Sequence, residues 1–267
     1  MKNLLIPTDF SANATVAAKY GVELFLPHLN SCTLINTYAL PRAGASMLVS
    51  IEDILKEESV AGLKKEARKL KDWFGTEMDM ELVSEKGDLF SSISRFERAN
   101  KPELIVMGTK GADEIQDRVF GSNTWRVVEN AKTPVLVVPQ IAKTEKPKRI
   151  MLSTDLSGVE GAIIEPLIHI LQLTGAHLDV VHISGTKSAD GKDYFKGALN
   201  EVDHSFHTIF GSDGDVVKEL TDFADSNDVD MIAMVHHHRG FFERIFTSST
   251  TKGMALASRL PLLVLND

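Results

Sequence analysis

Two stretches of this chain read as copies of one another, and that repeat limits the fold more than any other feature. Residues 3–11 return as residues 149–157, with Thr8-Asp9 and Thr154-Asp155 in the same place, 146 positions apart. The same spacing sets Leu34 to Asn36 against Val180 to His182. Further on the spacing falls to 127: Gly87-Asp88 matches Gly214-Asp215, residues 103–107 match 230–234, and residues 133–138 match 260–265. The second copy is therefore 19 residues shorter, with the loss between Asn36 and Gly87. A fixed internal period of this kind means one structural unit used twice.

Each copy reads as five strands separated by four helices. In the first, apolar runs predict strands near 3–7, 32–38, 79–84, 103–107 and 134–138, and amphipathic periodicity predicts helices near 13–26, 51–73, 88–99 and 122–131. The first, fourth and fifth strands are continuously apolar, as a parallel sheet covered on both faces requires. The expected fold class is α/β, with two tandem doubly wound five-stranded parallel sheets. One domain is expected in residues 1–140 and the other in 148–267, joined by the charged stretch from Gln140 to Lys148, which contains Pro147. Strand orders 2-1-3-4-5 and 3-2-1-4-5 both suit such a chain. In the second, the order reverses between strands one and four, so Pro7-Thr8-Asp9 would face residues 108–121 across one crevice.

The two fifth strands, within 134–139 and 261–266, are apolar and carry no protective charge. Uncovered, such edges aggregate. They are expected to pair with each other across a pseudo-twofold axis, giving an intramolecular pseudo-dimer, with a further homodimer left open.

A net charge of −8 argues against a nucleic-acid surface, which needs clustered Lys and Arg. The start of the chain has too short an apolar run before Pro7 and Asp9 for a signal peptide, and no stretch is apolar enough to span a bilayer. The expectation is a cytoplasmic protein with neither nucleic-acid nor membrane partners. The single cysteine, Cys32, lies in an apolar run and reads as a buried structural thiol.

Function concentrates in one loop. Gly108, Gly111 and Gly121-Ser122 stand at the spacing G-x2-G-x9-G-[S/T], between the apolar run ending at Met107 and the helical stretch that starts at Ser122. Glycines let backbone N–H groups approach an anion, and a helix start presents unpaired donors at its positive end. Lys110 adds a cation, and Ser122 and Thr124 add hydroxyls. The pattern is a phosphate cradle without the Gly-Lys-[Ser/Thr] of a P-loop. The plain alternatives are that Asp9 or Ser122 caps a helix and that Thr124 bonds within its own helix.

Taken together, the Asp-ending first strand, this loop and the Pro-Val-Leu-Val-Val fifth strand resemble the universal stress protein (UspA-like) family in its tandem form. The resemblance implies the 3-2-1-4-5 order of a Rossmann-like, adenine nucleotide α-hydrolase-like sheet. It also implies an adenine nucleotide, ATP or AMP, with Mg²⁺ as an optional companion. By the same resemblance Asp9, with Pro7 and Thr8, lies at the adenosine end, and Thr37 contacts adenine through its backbone. Met107, Gly108, Lys110 and Gly111 line the ribose and phosphates, and Gly121, Ser122, Asn123 and Thr124 hold the phosphates.

The second copy loses the cradle. At the spacing of 127 the three glycines meet Val235, His238 and Ser248, and a branched Cβ blocks close backbone approach. His236-His237-His238, with Asp155 and His182 expected at the same sheet edge, raises a zinc site built from Asp155, His182, His236 and His238. Adjacent loop histidines do not easily share one ion, and the main expectation is no metal. A nucleotide-dependent binding module is the first functional reading. Slow ATP hydrolysis or nucleotide transfer is the second, although no Ser-His-Asp or paired-carboxylate spacing supports a catalytic set. A structural dimerisation protein is the third.

Overall fold

A computed structural model of the 267-residue chain describes residues 3–40, 45–75, 79–110, 120–143, 145–154, 161–184, 195, 197–210, 216–236 and 259–266. The first half contains β1 (Asn3–Pro7), α1 (Ala12–Phe25), β2 (Ser31–Tyr38), α2 (Ala45–Phe74), β3 (Met80–Lys86), α3 (Leu89–Asn100), β4 (Leu104–Gly108), α4 (Ser122–Asn130) and β5 (Val135–Val138). The second contains β6 (Arg149–Thr154), α5 (Gly161–Thr174), β7 (His177–Ser184), β8 (His204–Phe210), α6 (Val216–Ser226), β9 (Met231–His236) and β10 (Leu262–Asn266).

All ten strands form one sheet, in the order β3-β2-β1-β4-β5-β10-β9-β6-β7-β8. Each half thus runs 3-2-1-4-5, every ladder inside a half is parallel, and the seam between β5 and β10 is antiparallel. At the seam Val137 faces Leu262, Leu136 faces Leu263 and Val135 faces Val264. The repeat spacing of 127 equates Leu136 with Leu263, so each half offers the same edge to the other, as a twofold contact must.

The continuous apolar runs serve two cores. One face of the sheet, through Leu4, Ile6, Leu34, Val106 and Leu136, packs under α1 and α2 and continues through Leu152, Val180 and Leu263 under α5. The other face, through Leu5, Ile35, Ile105 and Val137, packs against α3 and α4 and continues through Met151, Ile232 and Val264 against α6. Both clusters cross the seam, so each half completes the other's core. Cys32 is buried, and burial pushes its thiol up to about 12, which keeps it inert.

The helix expected between the second and third strands of the second half falls mostly outside the described residues. Residue 195 and residues 197–202 there are turns, and 185–194 lie outside the described residues. The missing residues match the place of α2, a 30-residue helix whose length the second copy cannot hold. No helix among the described residues is long and apolar enough to cross a membrane.

Leu263 is fully buried at the centre of the seam. Leu263→Ala should destabilise the chain by about 2–5 kcal/mol, read as a lower urea midpoint with an unchanged slope.

Candidate functional site

The crevice forms where the sheet changes direction. β1 lies between β2 and β4; the chain leaves β1 for α1 on one face and leaves β4 for α4 on the other. The ends of the two strands therefore part. A cavity of about 140 Å³ opens there, lined by Pro7, Thr8, Asp9, Ala14, Asn36, Thr37, Leu89, Met107, Gly108, Lys110, Gly121, Asn123 and Thr124. Ten of the residues singled out from the sequence thus meet in one place. Ser122 is exposed beside them, and Gly111 lies outside the described residues.

The turn after β1 is held by its own polar groups. Thr8 N–H donates to the Ile35 carbonyl at 2.9 Å. Thr8 Oγ1 accepts from Phe10 N–H at 3.0 Å, and Asp9 Oδ1 accepts from Ser11 N–H at 3.0 Å. Ser11, not Asp9, caps α1, with Oγ accepting from Ala14 N–H at 3.1 Å. Phe10 sits at φ 65°, a costly conformation for a bulky residue. Its ring lies so close to Gly62 of α2 that any Cβ there would stand 2.5 Å from it, and this packing supports the turn. Asp9 is left exposed at the mouth of the cleft.

At the other wall, Gly121 is the N-cap of α4 and offers no capping side chain. Its N–H donates to the Thr109 carbonyl at 2.7 Å. Helix geometry leaves the first-turn N–H groups of Asn123 and Thr124 without intrahelical acceptors, at the positive end of the helix. Thr124 spends its hydroxyl proton on the Gly108 carbonyl at 2.9 Å, tying α4 to β4 rather than bonding within its own helix. Ser122 is the first helical residue and not the cap.

Two asparagines escaped the sequence reading as site residues. Asn36, at 9 % exposure, donates from Nδ2 to the Thr8 carbonyl at 2.7 Å and accepts at Oδ1 from Ser59 Oγ at 2.7 Å. Ser84 Oγ donates to Ser59 Oγ at 2.7 Å, so a buried chain of hydrogen bonds joins the cleft to α2 and β3. Asn13 donates from Nδ2 to the Val138 carbonyl at 3.2 Å. A polar residue inside an apolar strand was the available signal for Asn36.

In the second half, the bond between His182 Nδ1 and the Thr154 carbonyl, 3.3 Å, repeats the Asn36–Thr8 bond one repeat later. A carbonyl only accepts, so that ring nitrogen carries the hydrogen. His182 and His236 are both buried; Asp155 and His238 lie outside the described residues. Among the described residues no group of three or more His, Cys, Asp or Glu is arranged to hold a metal.

At the amino ends of these strands, Asp179 is fully buried and takes a two-pronged contact from Arg149, 2.6 Å from Nε to Oδ2 and 3.2 Å from Nη2 to Oδ1. His207 Nε2 stands 2.8 Å from Asp179 Oδ1. Burial pushes this carboxyl up, but the Arg149 and His207 contacts outweigh it and hold it below the usual carboxylate range. His177 adds a Ser-His-Asp arrangement that sequence order concealed, with Nδ1 2.8 Å from Asp203 Oδ2 and Nε2 3.1 Å from Ser205 Oγ. Its Nε2 is also 3.5 Å from Asp179, and Asp203 is 81 % exposed. The ring therefore sits between two carboxylates and ties β8 to β7, in place of activating a nucleophile in a closed site.

A doubly wound α/β chain with its cleft at the β1–β4 switch point has a Rossmann-like architecture. The sequence pattern of the universal stress protein family matches residues 1–139 and 196–266, and the chain belongs to that family, in its tandem two-domain form. A universal stress protein of Methanocaldococcus jannaschii is 32% identical over 154 residues, 55% of this chain and 84% of the relative. The crystal structure of a universal stress protein from Archaeoglobus fulgidus shares the fold over 99% of this chain and 96% of its own, with TM-score 0.71 and 16% identity. A Pseudomonas aeruginosa protein of unknown function matches over 100% and 92%, with TM-score 0.61 and 15% identity.

Ser59→Ala should leave Asn36 Oδ1 buried without its donor and cost about 1–3 kcal/mol, measured by urea denaturation. For Asp179 the sign follows from its depressed folded pKa: its contribution is present above the ordinary carboxylate value and is lost as pH falls through the folded one. Asp179→Asn should therefore lower stability by about 3 kcal/mol at neutral pH. Its stability profile below pH ~4 should be flatter than the parent's.

Proposed function

We propose that this universal stress protein binds an adenine nucleotide, ATP or AMP, in the cleft of residues 1–140. Its occupancy then alters the contacts the chain makes in a cytoplasmic stress response. The observation that supports this reading is the meeting of Asp9 and Thr37 with Lys110 and the start of α4 around one cavity at the strand-order switch. The two walls differ in chemistry. One offers a carboxylate and the end of β2, suited to ribose hydroxyls and a base edge. The other offers a cation and first-turn amides, suited to phosphate. A cavity of about 140 Å³ is smaller than the roughly 300–1,000 Å³ of closed ligand pockets, so the nucleotide would lie partly in the open, along Lys110 and Asn123.

The second half, residues 148–267, acts in this reading as a built-in partner, so that one chain supplies both sides of a dimer. Val235 in the place of Gly108 and the shortened β7–β8 connection remove the features the first crevice uses.

Purified protein, denatured and assayed for released adenine nucleotide, should yield ATP or AMP at up to one per chain. Failure of the refilled protein to take up either would count against the proposal. Lys110→Ala should weaken binding about tenfold, the effect of losing one charge-assisted contact to phosphate, while circular dichroism and the unfolding midpoint stay near the parent's.

A further inference from the structure

We infer that Asn13 is the positioning residue of the nucleotide loop, and that the first glycine of the loop exists to make room for it. This rests on the nucleotide reading only for its functional consequence. Asn13 is 6 % exposed, and its carboxamide reaches three groups at the carboxyl ends of β4 and β5. Its Nδ2 donates to the Val138 carbonyl at 3.2 Å, and its Oδ1 accepts from Thr109 Oγ1 at 3.3 Å and from Lys110 N–H at 3.5 Å. The side chain thus holds the exact backbone step at which the chain leaves β4 for the loop. It can do so only because Gly108 has no side chain: a Cβ there would stand 2.4 Å from Asn13 Oδ1 and 2.8 Å from its Cγ. Gly108 needs no left-handed conformation, since it is absent from the glycines of positive φ, so steric room is the reason for a glycine.

The repeat supplies an independent observation. Asn13 and Gly108 correspond, at spacings of 146 and 127, to Val159 and Val235. Where the asparagine is gone the glycine is gone too, and Val235 takes its place in the apolar core at 5 % exposure. The pair changes as a unit, as a lock and the space for it would.

The test is a double-mutant cycle in the full chain with Asn13→Ala, Gly108→Ala and both together, read by thermal unfolding and by fluorescence titration with N-methylanthraniloyl-ATP. Gly108→Ala should lower Tm by about 5 °C or more in the parent, through overpacking. In the Asn13→Ala background the same change should cost less than about 2 °C. Asn13→Ala alone should weaken the fluorescent nucleotide about tenfold and speed hydrogen exchange at the Lys110 amide, with amides of β6–β10 unchanged. An equal Tm cost of Gly108→Ala in both backgrounds, or parent-like affinity and Lys110 exchange in Asn13→Ala, would overturn the inference. If the parent itself binds no nucleotide, the functional proposal fails while the Tm cycle and the exchange rate still decide the lock. Should Asn13→Ala not fold, Asn13→Ser carries the same comparison with Gly108→Ala.

Discussion

Everything in this chain depends on two apolar strand edges meeting. β5 is buried along its length and β10 over its first four residues, and neither carries a charge that would keep another strand away. Left open, either half would expose a row of unpaired backbone groups beside an apolar surface. Their antiparallel ladder removes both liabilities at once and lets the two cores run across all ten strands. Tandem duplication turns what would be a concentration-dependent association into an intramolecular one, so the seam forms at a high effective concentration.

The regular parts of this architecture were legible because they depend on local pattern. β1 occupies the predicted residues, and the other first-half strands fall within two residues of them. Both-face burial writes itself as unbroken apolar runs. α2 begins at Ala45, six residues before the predicted start, since helix ends are set by capping and packing more than by periodicity. Of the residues lining the cleft, the loop residues were legible through glycine spacing and Asp9 as a strand-ending aspartate, while Thr37 and Met107 came only from the family resemblance. The supports of the cleft were not legible. Asn13 bonds a carbonyl 125 residues away, and Asn36 relies on a serine in the middle of α2, and neither pairing leaves a trace in local sequence.

The second half keeps the frame of the first with different side chains at the strand ends. His182 keeps the bond to a strand-end carbonyl that Asn36 makes in the first half, so the frame is intact. Its polar interior has moved elsewhere. Asp179 with Arg149, His207 and His177 pins the outer strand β8 from the amino ends, where the repeat spacing of 146 places Thr33 in the first half.

Strand direction gives the molecule two unlike ends. Because every ladder within a half is parallel and the seam alone is antiparallel, strands of the two halves point in opposite directions. The mouth of the first crevice and the mouth of its altered twin therefore open on opposing rims of the slab. A protein docking beside the first cleft would meet the linker and the roots of β6 and β9, on the rim away from the other crevice. The shared ten-stranded sheet is the structure that joins the two rims.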